Sequence, residues 1–288
     1  MYEANILADS VAYPSGIRLT TLEVTFPRFI LAEMNTHRMF SRNSASSRAI
    51  PTERLLDAVY HNPFIPIFNE RVKGMGVGAE LEKNAQEEAR QAWLEARDDA
   101  LAAATELMDI GVDKSRANRL LEPFLWHTCI ISATEWSNFF ALRAPEGEEV
   151  DLDFGAQPEI QEIAILMRKA LRESTPKELE PGQWHLPLVD WDTQCELGVE
   201  DSKKVAVGLL ARRSSYNRKD PEAPELSINR HNRLLESKHW SPFEHVATPL
   251  RFEDISFDPT WSGNFRGWLQ YRKTFAGEED ASLTTLEV

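Results

Sequence analysis

The chain has 288 residues, 42% of them hydrophobic and 27% charged, and a formal net charge of −14. That length allows one large domain or two modest ones, and the acidity excludes a general binder of nucleic-acid polymers, which needs a broad basic face. No apolar run approaches the roughly 20 residues of a membrane span, Met1–Asn5 lacks the basic start of a secretory signal, and Cys129 and Cys195 form no CxxC pair, so a cytoplasmic protein without a structural zinc site is expected.

Residues 17–26 are rich in β-branched side chains. Leu22, Val24 and Phe26 alternate with Glu23 and Thr25, as in a half-buried strand. Pro27 suits a first helical turn, and the spacing predicts a helix from about Pro27 to Met39. Glu33, His37 and Ser41 follow one another at i+4. This helix leads into Thr36–Arg48, thirteen residues with three arginines, one histidine, four serines and no carboxylate. Arg28, Arg38, Arg42 and Arg48 against Glu33 alone give residues 26–51 a local charge of +3. Arginine's planar fork can bond two phosphate oxygens at once, and serine and asparagine add neutral donors. A cationic island in an acidic chain is a candidate pocket for a small anion. A solvated helix end followed by a Ser-rich loop is the alternative.

Residues 51–82, punctuated by Pro51, Pro63, Pro66, Gly74, Gly76 and Gly78 beside Met75, read as a loop that serves as a lid or interface arm. From Lys83 to Ile110 the period is helical, with an acidic face of Glu87, Glu88, Glu95, Asp98 and Asp99 toward water and Gly111 as a stop. Residues 115–143 read as further helix, interrupted near Pro123. Trp126, Ile130, Ile131, Phe139 and Phe140 are its core candidates, and Arg119, His127, Asn138 and Arg143 are polar residues set among them. After an acidic hinge, Pro158 opens another helix, and residues 175–199 read as an extended connector. Lys203–Lys219 is a second cationic island with six basic residues and no acidic one. A helix near Ser227–Lys238 follows, then Ser241-Pro242-Phe243-Glu244-His245, which opens a strand at Val246–Phe252. No catalytic triad or activated cysteine is evident, which suits chemistry carried by a cofactor.

The Thr36–Arg48 stretch resembles the signature of the flavin-dependent thymidylate synthases (ThyX): Arg-His-Arg, seven residues, Ser, and Arg two beyond. His37, Arg38, Ser41, Asn43, Ser46 and Arg48 fall at matching positions. Thr36 departs from the first arginine, and Glu33 stands where the family usually has glutamine. Asn138 to Arg143 matches a second family element, and Arg119 loosely matches an arginine at the nucleotide phosphate. Ser215 and the Ser-Pro-Phe-Glu-His block resemble the N-terminal part of the family, yet here they follow the signature by about two hundred residues. Asn264–Lys273, with Gln270-Tyr271-Arg272, resembles the helix that leads into the signature. A strand–helix unit is therefore expected twice, at 17–40 and 246–274, in a rearranged, permutation-like member.

The resemblance implies a single α/β (α+β) domain over 1–288, with a mixed or antiparallel sheet and a bundle of long helices. Its parts are 1–51, the loop 52–82, a helical part 83–174, the connector 175–200 and 201–288. It implies reductive methylation of dUMP to dTMP with FAD, methylenetetrahydrofolate and NADPH, in a homotetramer. The roles it implies are as follows. Arg38, Ser46, Arg48, Arg119, Arg143 and Glu33 bind the nucleotide, with Arg48 and Arg143 also catalytic. His37, Arg38, Ser41, Asn43, Asn138, Ser215, His245 and Arg272 hold FAD, and Arg266, Gln270 and Arg272 compensate for Thr36 and Glu33. No metal, membrane or nucleic-acid polymer is expected as a partner. A pyrimidine nucleotide hydroxymethylase, a non-catalytic flavin or nucleotide binder, and a structural helical protein stay open as alternatives.

Overall fold

The computed structural model describes residues 1–74, 76–216, 218–251, 261–276 and 278. Its centre is a mixed five-stranded sheet in the order β3-β4-β2-β1-β5. The strands are β1 (Glu3–Ala12), β2 (Arg18–Pro27), β3 (Ser41–Ser44), β4 (Trp126–Ala133) and β5 (Lys177–Leu179). All neighbours are antiparallel except β1 and β5, which are parallel. The alternation read at residues 17–26 appears as β2, buried almost throughout. β1, which the sequence reading did not anticipate, pairs with it from Glu3↔Thr25 to Val11↔Arg18.

Strand β4 corrects the helical reading of residues 115–143. Cys129, Ile131 and Ala133 pack into one core, while Ile130 packs into another on the opposite face. A strand buried on both faces carries a continuous apolar run, which periodicity cannot separate from a buried helix. Helix remains only at α4 (Lys114–Ala117) and α5 (Ser137–Arg143), with a 3-10 helix at Asn118–Phe124.

The helix expected at Pro27–Met39 shrinks to a 3-10 turn, Arg28–Ile30, and α1 (Leu31–Asn35); the Ser-rich run then pairs with β4 as β3. The loop expected at 52–82 opens with α2 (Thr52–His61), because Leu55 and Val59, one turn apart, pack against Ala104, Leu121 and Phe124. Met75 lies outside the described residues. Helix α3 (Lys83–Ile110) forms as expected and ends on Gly111 at φ 89°. Its five acidic residues named above are exposed.

Helix α6 (Pro158–Glu173) packs on β1 and β2. The connector 175–200 instead supplies β5 and the start of α7 (Trp191–Tyr216), which is broken at Gly198. Helix α8 (Pro224–Glu236) crosses α7 at Gly208, where a Cβ would stand 2.2 Å from the Ser227 carbonyl oxygen. The C-terminal run corrects the expected second strand–helix unit. Among the described residues it forms β6 (Ala247–Pro249), β7 (Trp261–Ser262), β8 (Phe265–Arg266) and β9 (Trp268–Gln270), then a 3-10 turn at Tyr271–Thr274. Gly263 and Gly267 adopt φ of 60° and 73°, which breaks any helix there. Phe252, the last residue of the strand expected at 246–252, lies outside the described residues.

Candidate active site

The turn after α1 places His37 in the core against Phe139 of α5, with ring centroids 4.8 Å apart and the planes at 89°. Arg143, at the end of α5, donates from Nε to His37 Nε2 at 3.2 Å. Burial pushes the His37 pKa down to about 4, and Arg143 and Arg42 push it the same way. His37 is therefore a neutral acceptor that aims the Arg143 guanidinium. Arg42 is held below by the carbonyls of Met34 and His37, each at 3.1 Å. Glu33, on α1, has a buried Oε2 without a partner among the described residues. Arg38 is exposed and has no ion pair among them.

Ser46, Arg48 and Arg119 come together. They line an open cavity of about 530 Å³ with Ser115 and Arg116 and no apolar side chain. Two different segments build it: the turn after β3 and the α4 end of the 3-10 helix. Buried Asn118 joins them, donating from Nδ2 to the carbonyls of Ser47 (2.6 Å) and Ile50 (3.0 Å). Arg119 pairs with Glu122 at 2.8 Å, and Glu122 also takes Arg28 at 2.9 Å and the Ser47 hydroxyl. Arg48 has no ion pair among the described residues. Arg116 and Ser115 were missed in the sequence; a second arginine three residues before Arg119 was the available signal.

A third assembly lies on the sheet. Thr21, Ser132 and Ser41 are register partners on β2, β4 and β3, so their side chains share one face. Two histidines cap this row from the C-terminal half. His245 Nδ1 lies 2.8 Å from Ser132 Oγ, and His185 Nε2 lies 2.8 Å from Thr21 Oγ1. At the other end Gln270 Nε2 donates to Ser41 Oγ at 3.3 Å and to Asn264 Oδ1 at 2.9 Å. His245 Nε2 is buried without a partner among the described residues, as is Asn43 Nδ2. Asn43 Oδ1 accepts from the hydroxyl of Ser241, in the turn that also carries His245, at 3.2 Å. His185, Thr21 and Ser132 had no signal in the sequence, since single hydroxyls in strands are ordinary.

The remaining candidates lie apart or are occupied. Ser215 lines a separate cavity of about 460 Å³ with Arg28, Ser47 and His127. Asn138 is exposed on α5. Arg272 pairs with Glu244 (2.8 Å) and Glu278 (3.3 Å) and donates to Gln270 Oε1. Arg266 faces Glu135 at 3.3 Å. The second cationic island is neutralised: Arg213 and Lys219 meet buried Glu23, Arg212 meets Asp220 and Glu222, and Lys203 and Lys204 meet Glu200 and Asp201. No helix among the described residues is long and apolar enough to cross a membrane.

No curated protein matches the chain. Among the solved structures that resemble it are two of a UMP/dUMP methylase, PolB, from Streptomyces cacaoi. The one bound with 5-Br UMP has 15% identity and a TM-score of 0.48, covering 60% of this chain and 89% of that chain. The one bound with 5-Br dUMP has 15% identity and a TM-score of 0.46, covering 60% and 91%. The family described as thymidylate synthase complementing protein matches residues 17–177, a span that holds both His37–Arg143 and the Ser46–Arg48–Arg119 cavity. That span is more than half of the 288 residues, and the chain belongs to this family.

Proposed function

We propose that the protein is a flavin-dependent thymidylate synthase that methylates dUMP to dTMP. The observation that carries this reading is the cavity of Ser46, Arg48, Ser115, Arg116 and Arg119. Three guanidinium groups with two hydroxyls suit a phosphate dianion. Arg48, which has no carboxylate partner among the described residues, gives the largest share, and Ser46 adds a neutral donor. Arg143, aimed by His37, would bond a pyrimidine carbonyl with its terminal amino groups and stabilise negative charge as it develops on the base. Arg38, exposed in the turn after α1, would meet the nucleotide or cofactor phosphates.

Two unpartnered nitrogens support FAD as the cofactor. Asn43 Nδ2 and His245 Nε2 are buried without partners among the described residues, and a flavin ring has several carbonyl oxygens and ring nitrogens to offer such groups. His37, Ser41, Asn138, Ser215 and Arg272 complete the proposed cofactor set, with the scattered positions of Asn138 and Ser215 meeting across subunits of a homotetramer. When bound, FAD supplies the hydride-carrying chemistry, with methylenetetrahydrofolate as carbon donor and NADPH as reductant.

A second reading is favoured by Glu33. Its partnerless carboxylate oxygen accepts hydrogen bonds only, so it suits a base edge that donates, including the amino group of a cytosine nucleotide in a hydroxymethylase. Absorbance spectra of the purified protein with FAD, then dUMP or dCMP, followed by mass analysis of products, test both. A flavin spectrum perturbed by dUMP with dTMP formed is expected. A hydroxymethylated product would transfer the assignment to the second reading, and absence of flavin binding would overturn both.

A further inference from the structure

A cavity of about 200 Å³ shares no lining residue with the cavity of Ser46 and Arg48. Trp126, the first residue of β4, is its central ring. Tyr2 stands 5.2 Å from it at 88°, and Phe64 stands 5.3 Å from it at 90°. Perpendicular rings make adjoining walls. Aliphatic side chains and Asn69 complete the lining, and its only charged members are Glu80, Glu159 and Glu162. None of these carboxylates forms an ion pair among the described residues. Because α6 opens at Pro158, Glu159 and Glu162 stand at i and i+3 on one face. Glu80 arrives on a two-armed loop. The Glu70 N–H donates to the Ala79 carbonyl at 2.7 Å, and the Leu81 N–H donates to the Phe68 carbonyl at 3.0 Å. Gln86 of α3 brackets the Phe68 backbone through both ends of its amide, which fixes this loop in place.

Burial pushes the Glu159 carboxyl up. Burial, then the charges of Glu159 and Glu162, push the Tyr2 hydroxyl up, so both carboxylates act on that ring. Negative charge without a counter-ion in partly apolar surroundings is costly, and a cation relieves it. Aromatic rings add their own attraction for cations. A single metal ion does not fit, because among the described residues no three carboxylates, histidines or cysteines come close enough together to hold one. Charges held apart along an apolar wall match a molecule whose own charges are separated by methylenes. The volume also lies below the roughly 300–1,000 Å³ of drug-sized sites, which suits a narrow chain. We propose that this cavity binds a small protonated aliphatic diamine. One ammonium meets Glu159 and Glu162 beside the Tyr2 ring, the other meets Glu80, and the methylenes pack on Phe64 and Trp126. The site stands independently of the flavin and nucleotide reading above.

Calorimetric titration of the full chain with putrescine tests this, with butylamine and butanediol as probes that carry one charge and none. Saturable putrescine binding is expected, with butylamine weaker by about tenfold and butanediol giving no heat of binding. Glu162→Gln keeps the side chain's shape and removes its charge, and should weaken putrescine by about tenfold. Tyr2→Leu should weaken it by about fivefold, on the scale of a cation–π contact. Glu88→Gln, on the exposed acidic face of α3, should leave affinity unchanged; it controls for general attraction to a chain of net charge −14. Circular dichroism checks that each variant keeps the native fold. Absence of saturable putrescine binding overturns the site, and butanediol binding as tightly as putrescine overturns the cation as its ligand. Equal losses in Glu162→Gln and Glu88→Gln reduce the binding to general charge attraction and overturn the assignment of this cavity.

Discussion

Arg143 Nε donates to His37 Nε2 across 3.2 Å, which joins the turn after α1 to the end of α5 although 106 positions separate them. A histidine pushed down to about 4 stays neutral and accepts the bond. The guanidinium is thereby oriented without its charge being cancelled. Arg143→Lys keeps the charge and loses the oriented fork. It should lower kcat/KM for dUMP by about 10²-fold, on the scale of removing one positioned donor to developing charge, with the circular dichroism of the native protein. Turnover within a factor of about two of the unaltered protein would remove Arg143 from the mechanism.

Arg48 is exposed, so its loss should not disturb packing. Arg48→Ala should weaken dUMP binding by about 1.5–3 kcal/mol, the worth of a charge-assisted hydrogen bond. Arg116→Ala should act in the same direction, since Arg116 lines the same cavity. Calorimetric titration with dUMP, and with deoxyuridine as a control lacking the phosphate, checks both: only dUMP affinity should change.

Asn118 makes the cavity by clamping the Ser47 and Ile50 carbonyls. Asn118→Ala leaves the buried Ser47 carbonyl and the part-buried Ile50 carbonyl without those donors and should cost about 2–4 kcal/mol, from two bonds at 1–3 kcal/mol each with partial relief by water. Nucleotide affinity should fall with stability although Asn118 touches no ligand. Urea unfolding beside the dUMP titration tests this, and a variant with full stability and weak binding would assign Asn118 to the ligand itself.

Glu23 is 1% exposed beneath Arg213 and Lys219. Glu23→Leu strands Arg213 in a half-buried site and should destabilise by about 3–5 kcal/mol. Pairing it with Arg213→Met should restore most of that loss, because the desolvation of both ions is then removed. A double-mutant cycle in thermal unfolding measures the coupling; additive losses would show that the pair is not a unit.

His37, His127, His185 and His245 all sit below their ordinary 6.5, with burial the largest cause in each. The unfolded chain therefore binds protons more readily than the folded one below pH 6.5. Their contribution is fully present above that value and is lost as pH falls toward the folded values of about 3 to 4. Each histidine contributes up to about 1.4 kcal/mol per pH unit in that window. Far-ultraviolet circular dichroism should show cooperative acid unfolding above the folded-state values, and a protein still native below them would contradict the burial of these rings.

The local code was readable where one element carries one period or one charge pattern. The alternation of Leu22, Val24 and Phe26, the long helix to Gly111, the Pro158 start of α6, and the cations Arg38 and Arg48 with the hydroxyl of Ser46 all follow from residue type and spacing. What the sequence could not determine were features whose partners lie far away. Trp126–Ala133 is a strand because cores on both faces cover it, and its apolar run alone does not distinguish that from helix. The Lys203–Lys219 cations look like an anion site until Glu23, Asp220 and Glu222 neutralise them. Arg119 reaches Ser46 and Arg48 through the Asn118 clamp, and His245 reaches Ser132 across 113 positions. Hydrophobic periodicity and local charge are short-range properties, written in neighbouring residues. Hydrogen-bond partners and ion pairs are set by which segments the packed core brings together, so only the tertiary structure decided them.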